Sequence, residues 1–253
     1  MGTLFIVATP IGNLNDISTR ALQTLREVDV IACEDTRQTA KLLNHFGIQR
    51  HMTSYHEFNE EEKALELAGK LAGTTTIALV SDAGTPAIAD PGYRLVRLCR
   101  QRGIPVVSIP GPNAAIAALA ASGLPSDEFM FFGFLPSKKN ARKQKLTDLA
   151  NMTCTLVFYE APHRIAAALE DMQEVLGDRE MCLAREVTKI HEEFLFGAIS
   201  TVRKRVTALG EFVIVVRGAT EVREAGPATR EAVLKKLGMT RNQLYDLFFK
   251  KEV

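Results

Sequence analysis

The sequence is poor in three features that would identify common classes of protein: paired cysteines, an excess of charge and long apolar runs. Its four cysteines are far apart, with no C-x-x-C pair and no spacing typical of metal ligands; they are Cys33, Cys99, Cys154 and Cys182. Buried, reduced thiols are therefore expected. The five histidines show no paired spacing either, so no metal is expected.

No apolar run approaches the length that crosses a bilayer, and the amino-terminal residues lack the basic and apolar regions of a signal peptide. With 46% hydrophobic and 24% charged residues, the composition is that of a globular protein with ample material for a core. A length of 253 residues allows one large domain or two of ordinary size. The sequence thus favours a protein of the reducing cytoplasm, without a membrane partner.

Positive and negative side chains nearly cancel, with 31 Lys and Arg against 30 Asp and Glu. An anionic partner would therefore have to be held by a local patch. The densest basic run consists of Lys138, Lys139, Arg142, Lys143 and Lys145. Its type and density suit contacts to phosphates, although such a run is also typical of a solvated face. No aromatic residues are interleaved with it, so contacts to a folded RNA backbone are expected rather than base stacking.

A loop rich in Gly, Pro and Asp is the feature around which the chain is organised. It has the sequence S-D-A-G-T-P-A-I-A-D-P-G at 81–92, directly after an apolar run and before a segment with helical spacing. Ligands bind at this position, the carboxyl end of a strand, in open parallel sheets. Twelve residues is long for a structural strand-to-helix connection, which favours a functional loop.

Apolar runs and helical segments alternate through the first half, which predicts a doubly wound, mostly parallel α/β domain over 1–124. The second half has more strand per helix, which predicts a second α/β domain with a mixed sheet over 125–218. Residues 219–253 are predicted to form a short helical tail. That tail could be a helix-turn-helix, or an appendage that packs on the body or on a second subunit.

Six motifs together resemble the tetrapyrrole methylase superfamily. They are V-A-T-P-I-G-N-L at 7–14, C-E-D-T-R at 33–37, S-D-A-G-T-P at 81–86 with D-P-G at 90–92, I-P-G-P-N-A at 109–114, F-Y-E-A-P at 158–162 and A-R-E at 184–186. Each motif alone is weak, but the ordered set is specific. The chain is most similar to the branch of the superfamily that acts on ribosomal RNA.

The resemblance implies two α/β domains with S-adenosylmethionine in the cleft between them, and a homodimer. It also implies methyl transfer to the ribose 2′-hydroxyl of a cytidine in the decoding centre of small-subunit (16S) ribosomal RNA, within an assembled subunit. The residues that it assigns to the cofactor are Pro10, Asp82, Ala83, Gly84, Thr85, Pro86, Ile88, Pro110, Gly111, Pro112, Asn113, Ala114, Tyr159 and Ala184. Asn113 departs from the family, where a small hydroxyl residue is expected, and the tail after Gly218 is short.

A ribose 2′-hydroxyl is a poor nucleophile and needs a base, or a cation that stabilises the developing alkoxide. Lys189 is the candidate for that cation, or for the base if its pKa falls; the alternative is a surface pair with Glu192 or Glu193. Glu34 and Asp35 follow a strand and could contact the nucleoside, although Asp35 could equally cap a helix. His56 could be a base or a structural histidine.

Three functions remain compatible with the sequence. One is ribose methylation of ribosomal RNA, another is methylation of a tetrapyrrole or a protein side chain by a sister enzyme, and the third is nucleotide sensing by a DNA-binding regulator. The basic run favours the first over the second. The tail has no basic recognition face, which disfavours the third.

Overall fold

The computed structural model describes residues 1–220. The predicted helical tail therefore lies outside the described residues, apart from its first two positions. Within the described part, no helix is long and apolar enough to cross a membrane.

The first half forms a parallel five-stranded sheet in the order β3-β2-β4-β1-β5. Its strands are β1 (Leu4–Val7), β2 (Val30–Cys33), β3 (His51–Ser54), β4 (Ile77–Val80) and β5 (Val106–Ile109). The helices between them are α1 (Thr19–Glu27), α2 (Thr36–His45), α3 (Glu60–Ala72) and α4 (Tyr93–Gln101), and a 3₁₀ turn spans Leu14–Asp16.

The central strands of this sheet are buried on both faces, because helices cover each side of a doubly wound sheet. In β4, Ile77 and Leu79 belong to one core cluster, and Ala78 and Val80 belong to another. This division follows the two-residue period of a strand. Because β4 lies at the centre of the order, the loop after it opens at the middle of the sheet edge.

The second half forms a mixed five-stranded sheet in the order β6-β7-β10-β8-β9. Its strands are β6 (Phe129–Phe134), β7 (Thr155–Glu160), β8 (Glu180–Arg185), β9 (Glu193–Ala198) and β10 (Phe212–Val216). Only β6 and β7 are parallel; the other three pairings are antiparallel. Its helices are α5 (Ala114–Ala121), α6 (Lys139–Leu149), α7 (Ile165–Leu176) and α8 (Ile199–Arg205). The predicted fold class, α/β with a parallel sheet followed by a mixed sheet, is confirmed.

Helix α5 follows the first sheet in sequence but packs on the second. Ala115, Ala118 and Leu119 form a buried cluster with Val157 of β7 and Val213 of β10. The change of sheet therefore occurs directly after β5. We keep 1–124 and 125–218 as proposed domain limits, with α5 bridging the two.

Candidate active site

The loops after β1, β4 and β5 are joined to one another at the carboxyl edge of the first sheet. Thr9 and Gly84 exchange backbone hydrogen bonds, with Thr9 N donating to Gly84 O at 2.9 Å and Gly84 N to Thr9 O at 3.0 Å. The Thr85 hydroxyl donates to the carbonyl of Pro112 at 3.1 Å. These contacts fix residues of three separate motifs next to one another, so that the three loops form one continuous surface.

Strained backbone is concentrated around this surface. Within residues 1–220, four non-glycine residues have positive φ: Ala87 at 67°, Ala89 at 61°, Glu186 at 51° and Thr188 at 70°. Two of them lie in the loop after β4, and two lie after β8 in the second half. Such strain persists only where surrounding contacts impose it, and it clusters at functional sites.

A cavity of about 390 Å³, which we call the first cavity, lies between the two halves of the chain. Its volume is within the range of small-molecule sites, about 300–1,000 Å³. It is lined by Ile11, Asp82, Ala83, Gly84, Thr85, Ile88, Ala89, Asp90, Asn113, Ala114, Phe134, Tyr159, Glu160, Ala161, Pro162, Val187, Lys189, Glu211, Phe212 and Val213. Both sheets thus contribute walls to one site.

The first cavity is acidic, since four carboxylates and a single ammonium line it: Asp82, Asp90, Glu160, Glu211 and Lys189. Burial raises the pKa of Asp90 to about 6, and the negative charges of Glu34 and Asp82 add to the rise. Burial also raises the pKa of the Glu160 carboxyl. Glu160 pairs with Arg164 and Glu211 pairs with Lys189, so Asp82 and Asp90 are the two cavity carboxyl groups without an ion-pair partner among the described residues.

Lys189 is held by two carboxylates from neighbouring loops. Its Nζ donates to Glu186 Oε1 and to Glu211 Oε2, both at 2.9 Å. Partial burial by itself would lower the pKa of Lys189, but these hydrogen bonds and charges outweigh it and raise the pKa. Lys189 is therefore a cation at neutral pH and unsuited to act as a base. An ammonium has three N–H donors, so within residues 1–220 one remains for a ligand.

The alternative partners of Lys189 have other roles. Glu192 accepts from the backbone amide of Thr188 at 2.6 Å. Glu193 pairs with Arg185 at 3.0 Å. The expectation that a surface pair would involve Glu192 or Glu193 is wrong, because the turn after Glu186 brings Lys189 back onto Glu186 instead.

The structure divides the residues assigned to the cofactor into two groups. Those that line the first cavity are Asp82, Ala83, Gly84, Thr85, Ile88, Asn113, Ala114 and Tyr159, whereas Pro10, Pro86, Pro110, Gly111, Pro112 and Ala184 do not. In the second group, Pro110 and Gly111 are exposed to solvent. Pro112 accepts the hydrogen bond of Thr85, and Ala184 is a buried residue of β8.

Three of the four candidate catalytic residues, Glu34, Asp35 and His56, do not line the first cavity. Asp35 caps α2, accepting from the amide of Arg37 at 2.8 Å, and it also binds the Arg37 guanidinium. Its backbone amide donates to Asp82 at 3.1 Å. Glu34 is half-buried, and burial followed by the charge of Asp82 raises its pKa. Asp35 therefore helps to position Asp82 through its backbone amide, and the negative charge of Glu34 disfavours ionisation of Asp90.

His56 also lies outside the first cavity. Its backbone amide donates to Asn59 at 2.9 Å, and its ring contacts Phe58 edge-on. Its Nδ1 is buried and has no partner within residues 1–220. Among the described residues, no three His, Cys, Asp or Glu side chains are grouped as a metal site.

The basic run forms most of α6, and its members face different surroundings. Arg142 is 4% exposed and binds Asp171 through a buried ion pair of 2.6 Å, so its assignment to RNA contact is corrected. Lys143 pairs with Glu174 at 2.5 Å, and Lys145 lies over the ring of Phe132. Lys138 and Lys139 are exposed and have no ion-pair partner within the described range.

Several cavity residues were not singled out from the sequence. Asp90 stands in the D-P-G motif, and Glu160 and Pro162 stand in F-Y-E-A-P, so motif membership was an available signal. Glu211, Phe212 and Val213 belong to no motif. They line the first cavity because β10 lies at the centre of the second sheet.

Two five-stranded α/β sheets with an acidic cavity between the two halves of the chain define a two-sheet protein with a small-molecule site. The sequence profile of the Tetrapyrrole (Corrin/Porphyrin) Methylases matches residues 3–203. The chain therefore belongs to the tetrapyrrole methylase family, whose enzymes are S-adenosylmethionine-dependent methyltransferases.

Two relatives share about half of their residues with this chain. Ribosomal RNA small subunit methyltransferase I of Halalkalibacterium halodurans is 52% identical over 223 residues, covering 87% of this chain and 77% of the relative. The protein of the same name from Synechocystis sp. is 48% identical over 254 residues, covering 96% of this chain and 90% of the relative.

Solved structures share the fold at low sequence identity. Diphthine synthase aligns with a TM-score of 0.65 and 16% identity, covering 86% of this chain and 90% of its own. Uroporphyrin-III C-methyl transferase from Thermus thermophilus, complexed with S-adenyl homocysteine, aligns with a TM-score of 0.58 and 18% identity, covering 85% and 97%. At these identities the likeness establishes the fold alone.

Proposed function

We propose that the protein transfers a methyl group from S-adenosylmethionine to the ribose 2′-hydroxyl of a cytidine in the decoding centre of small-subunit ribosomal RNA. The observation that carries this proposal is the identity of about half of all residues with proteins named ribosomal RNA small subunit methyltransferase I, over most of the chain. We further propose that it acts on assembled subunits, as a homodimer, in the cytoplasm.

The first cavity fits S-adenosylmethionine by the chemistry of its lining. The molecule carries a sulfonium, an ammonium and a carboxylate, a net charge of +1, and the cavity presents four carboxyl groups to one lysine. Loop residues 82–90, together with Asn113, Ala114 and Tyr159, would hold it. When bound, the cofactor supplies a methyl group activated for displacement.

We assign to Lys189 the stabilisation of the ribose 2′-oxygen that accepts the methyl group. Glu186 and Glu211 fix its Nζ and keep it protonated, and its third N–H is available to a developing alkoxide. The hydrogen bonds are already formed in the free protein, so little reorganisation is needed during reaction. The raised pKa supports a role for Lys189 as a cation that stabilises negative charge rather than as the base that accepts the proton.

The direct test uses methyl-labelled S-adenosylmethionine with assembled small subunits or naked small-subunit RNA, both unmodified. We expect label in the assembled subunits and an alkali-resistant phosphodiester bond following a cytidine, because a 2′-O-methyl group blocks alkaline cleavage. Label on a base, on a ribosomal protein or on a tetrapyrrole would contradict the proposal. Sedimentation measures the oligomeric state separately.

A further inference from the structure

A second cavity, of about 660 Å³, adjoins the first at Lys189, which lines both. Its walls come from the loop after β1, the end of α2 and the loop between β8 and β9. The lining residues are Gly12, Asn13, Leu14, Asn15, His45, Thr188, Lys189, Ile190 and His191. Most of them are exposed, so this cavity opens to solvent.

The two cavities differ in charge. Four carboxylates line the first, whereas no carboxylate side chain lines the second, where the ionisable groups are Lys189, His45 and His191. A polyanion is repelled by a lining of carboxylates and accepted by a lining without them. The first cavity therefore suits a cation, whereas the second offers one ammonium and two imidazoles to a phosphate and presents no carboxylate against it.

The second cavity also offers groups that suit a base and a sugar. Ile190 is 97% exposed at its mouth, and Leu14 is 38% exposed on the facing loop. Asn13 and Asn15 supply amides, although Asn13 already accepts from the amide of Asn15. The Thr188 hydroxyl is buried and has no partner within residues 1–220.

We propose that the second cavity receives the nucleotide that carries the acceptor ribose. Its base lies against Ile190 and Leu14, its phosphate lies beside His45 and His191, and its 2′-hydroxyl faces Lys189 where the cavities meet. This inference rests on the proposed function and adds to it the place where the RNA enters.

The test introduces negative charge on two separate walls, through Ile190→Asp and His45→Asp. His45→Asn is the uncharged match, and Leu65→Asp changes a half-exposed residue of α3 that lines neither cavity. For each variant we would measure KM and kcat with assembled small subunits, at about 50 mM and about 200 mM salt. Calorimetry with S-adenosylmethionine and thermal melting report on the first cavity and on folding.

Both Asp variants should raise KM about tenfold or more at low salt, with S-adenosylmethionine affinity within about twofold of the parent. The effect of His45→Asp should shrink at high salt, because repulsion of phosphate is screened. His45→Asn, which removes the imidazole without adding a charge, should raise KM less than His45→Asp does, and Leu65→Asp should resemble the parent. Parental KM values in both Asp variants would overturn the assignment. An increase in KM of the same size at both salt concentrations would point to contact with an uncharged protein surface rather than with phosphate. That result would also overturn the assignment of the second cavity.

The two proposals fail in different ways. If the parental enzyme methylates subunits while the variants match its KM, only the assignment of the second cavity is wrong. If the parental enzyme leaves ribosomal RNA unmethylated, the proposed function is wrong, and the assignment of the second cavity is wrong as well.

Discussion

Gly12 lies directly against the aliphatic stem of Lys189, so that a β-carbon placed on Gly12 would overlap Cγ of that lysine. The two residues come from opposite halves of the chain, the loop after β1 and the loop after β8. Lys189 thus depends on two carboxylates to hold its Nζ and on a glycine to leave room for its stem.

Gly12→Ala should therefore displace Lys189 without removing it. Misplacement of a catalytic group by about 1 Å costs up to roughly a hundredfold in rate, so we expect single-turnover methylation to fall about tenfold or more. S-adenosylmethionine affinity should stay within about threefold of the parent. Gly47→Ala is the matched control, since Gly47 also has a positive φ and nothing lies within 4 Å of an added β-carbon there. A parental rate for Gly12→Ala would mean that Lys189 tolerates the shift.

Lys189→Ala should lower the single-turnover rate by roughly a hundredfold or more, the size of effect seen when a transition-state donor is lost. Because the contribution grows as the hydroxyl loses its proton, affinities for cofactor and RNA should change by less than about threefold. Lys189→Arg should restore the rate only in part, since a planar fork does not replace a point charge. A variant that methylates at the parental rate would leave Lys189 as a structural ion pair.

Lys138→Gln with Lys139→Gln should make binding to small subunits less dependent on salt. Each phosphate contact that is lost lowers the slope of log affinity against log salt by about one. Lys63→Gln with Lys70→Gln removes the same charge from α3, where both lysines pair with Glu66, and should leave the slope unchanged. An unchanged slope in the double variant would identify the exposed end of α6 as a solvated face. Arg142 is unsuitable for this test, because its removal strands the buried carboxylate of Asp171.

Asp90→Asn should stabilise the protein more at pH 8 than at pH 4. The folded-state pKa of Asp90 is raised from 3.8 to about 6, so the native state binds the proton more tightly than the unfolded chain does. Stability therefore falls as pH rises through this window, and the loss is complete above about pH 7. Because the half-buried carboxylate is partly screened by solvent, we expect Asp90→Asn to raise the free energy of unfolding by on the order of 1–2 kcal/mol at pH 8. Thermal unfolding at both pH values measures this stabilisation, and the exposed Asp16→Asn is the control. Equal stabilisation at both pH values would contradict the raised pKa of Asp90.

S-adenosylmethionine affinity should rise as pH increases through about 6. A cationic ligand binds best when Asp90 is ionised, so at lower pH the ligand must first displace a proton. Calorimetry at pH 5 and pH 7.5 should show weaker binding at pH 5, and Asp90→Asn should flatten this dependence. The same pH dependence in parent and variant would assign it to another group.

The sequence by itself determined the type and order of the elements. Short apolar runs such as β4 specify buried strands, and the loop at 81–92 follows the central one, because hydrophobic period and Gly-Pro punctuation are local properties. The motifs placed Asp82 to Thr85, Asn113, Ala114 and Tyr159 at the cavity, since each lies at or near the end of a strand.

Only the tertiary structure decided which groups meet there. Arg142 and Lys139 belong to one basic run, yet the packing of α6 on α7 buries the first against Asp171 and leaves the second in solvent. Glu211 has no motif, and it reaches Lys189 because β10 lies beside β8. The charge state of Lys189 and the raised pKa of Asp90 depend on burial and on partners distant in sequence, and neither can be read from local pattern.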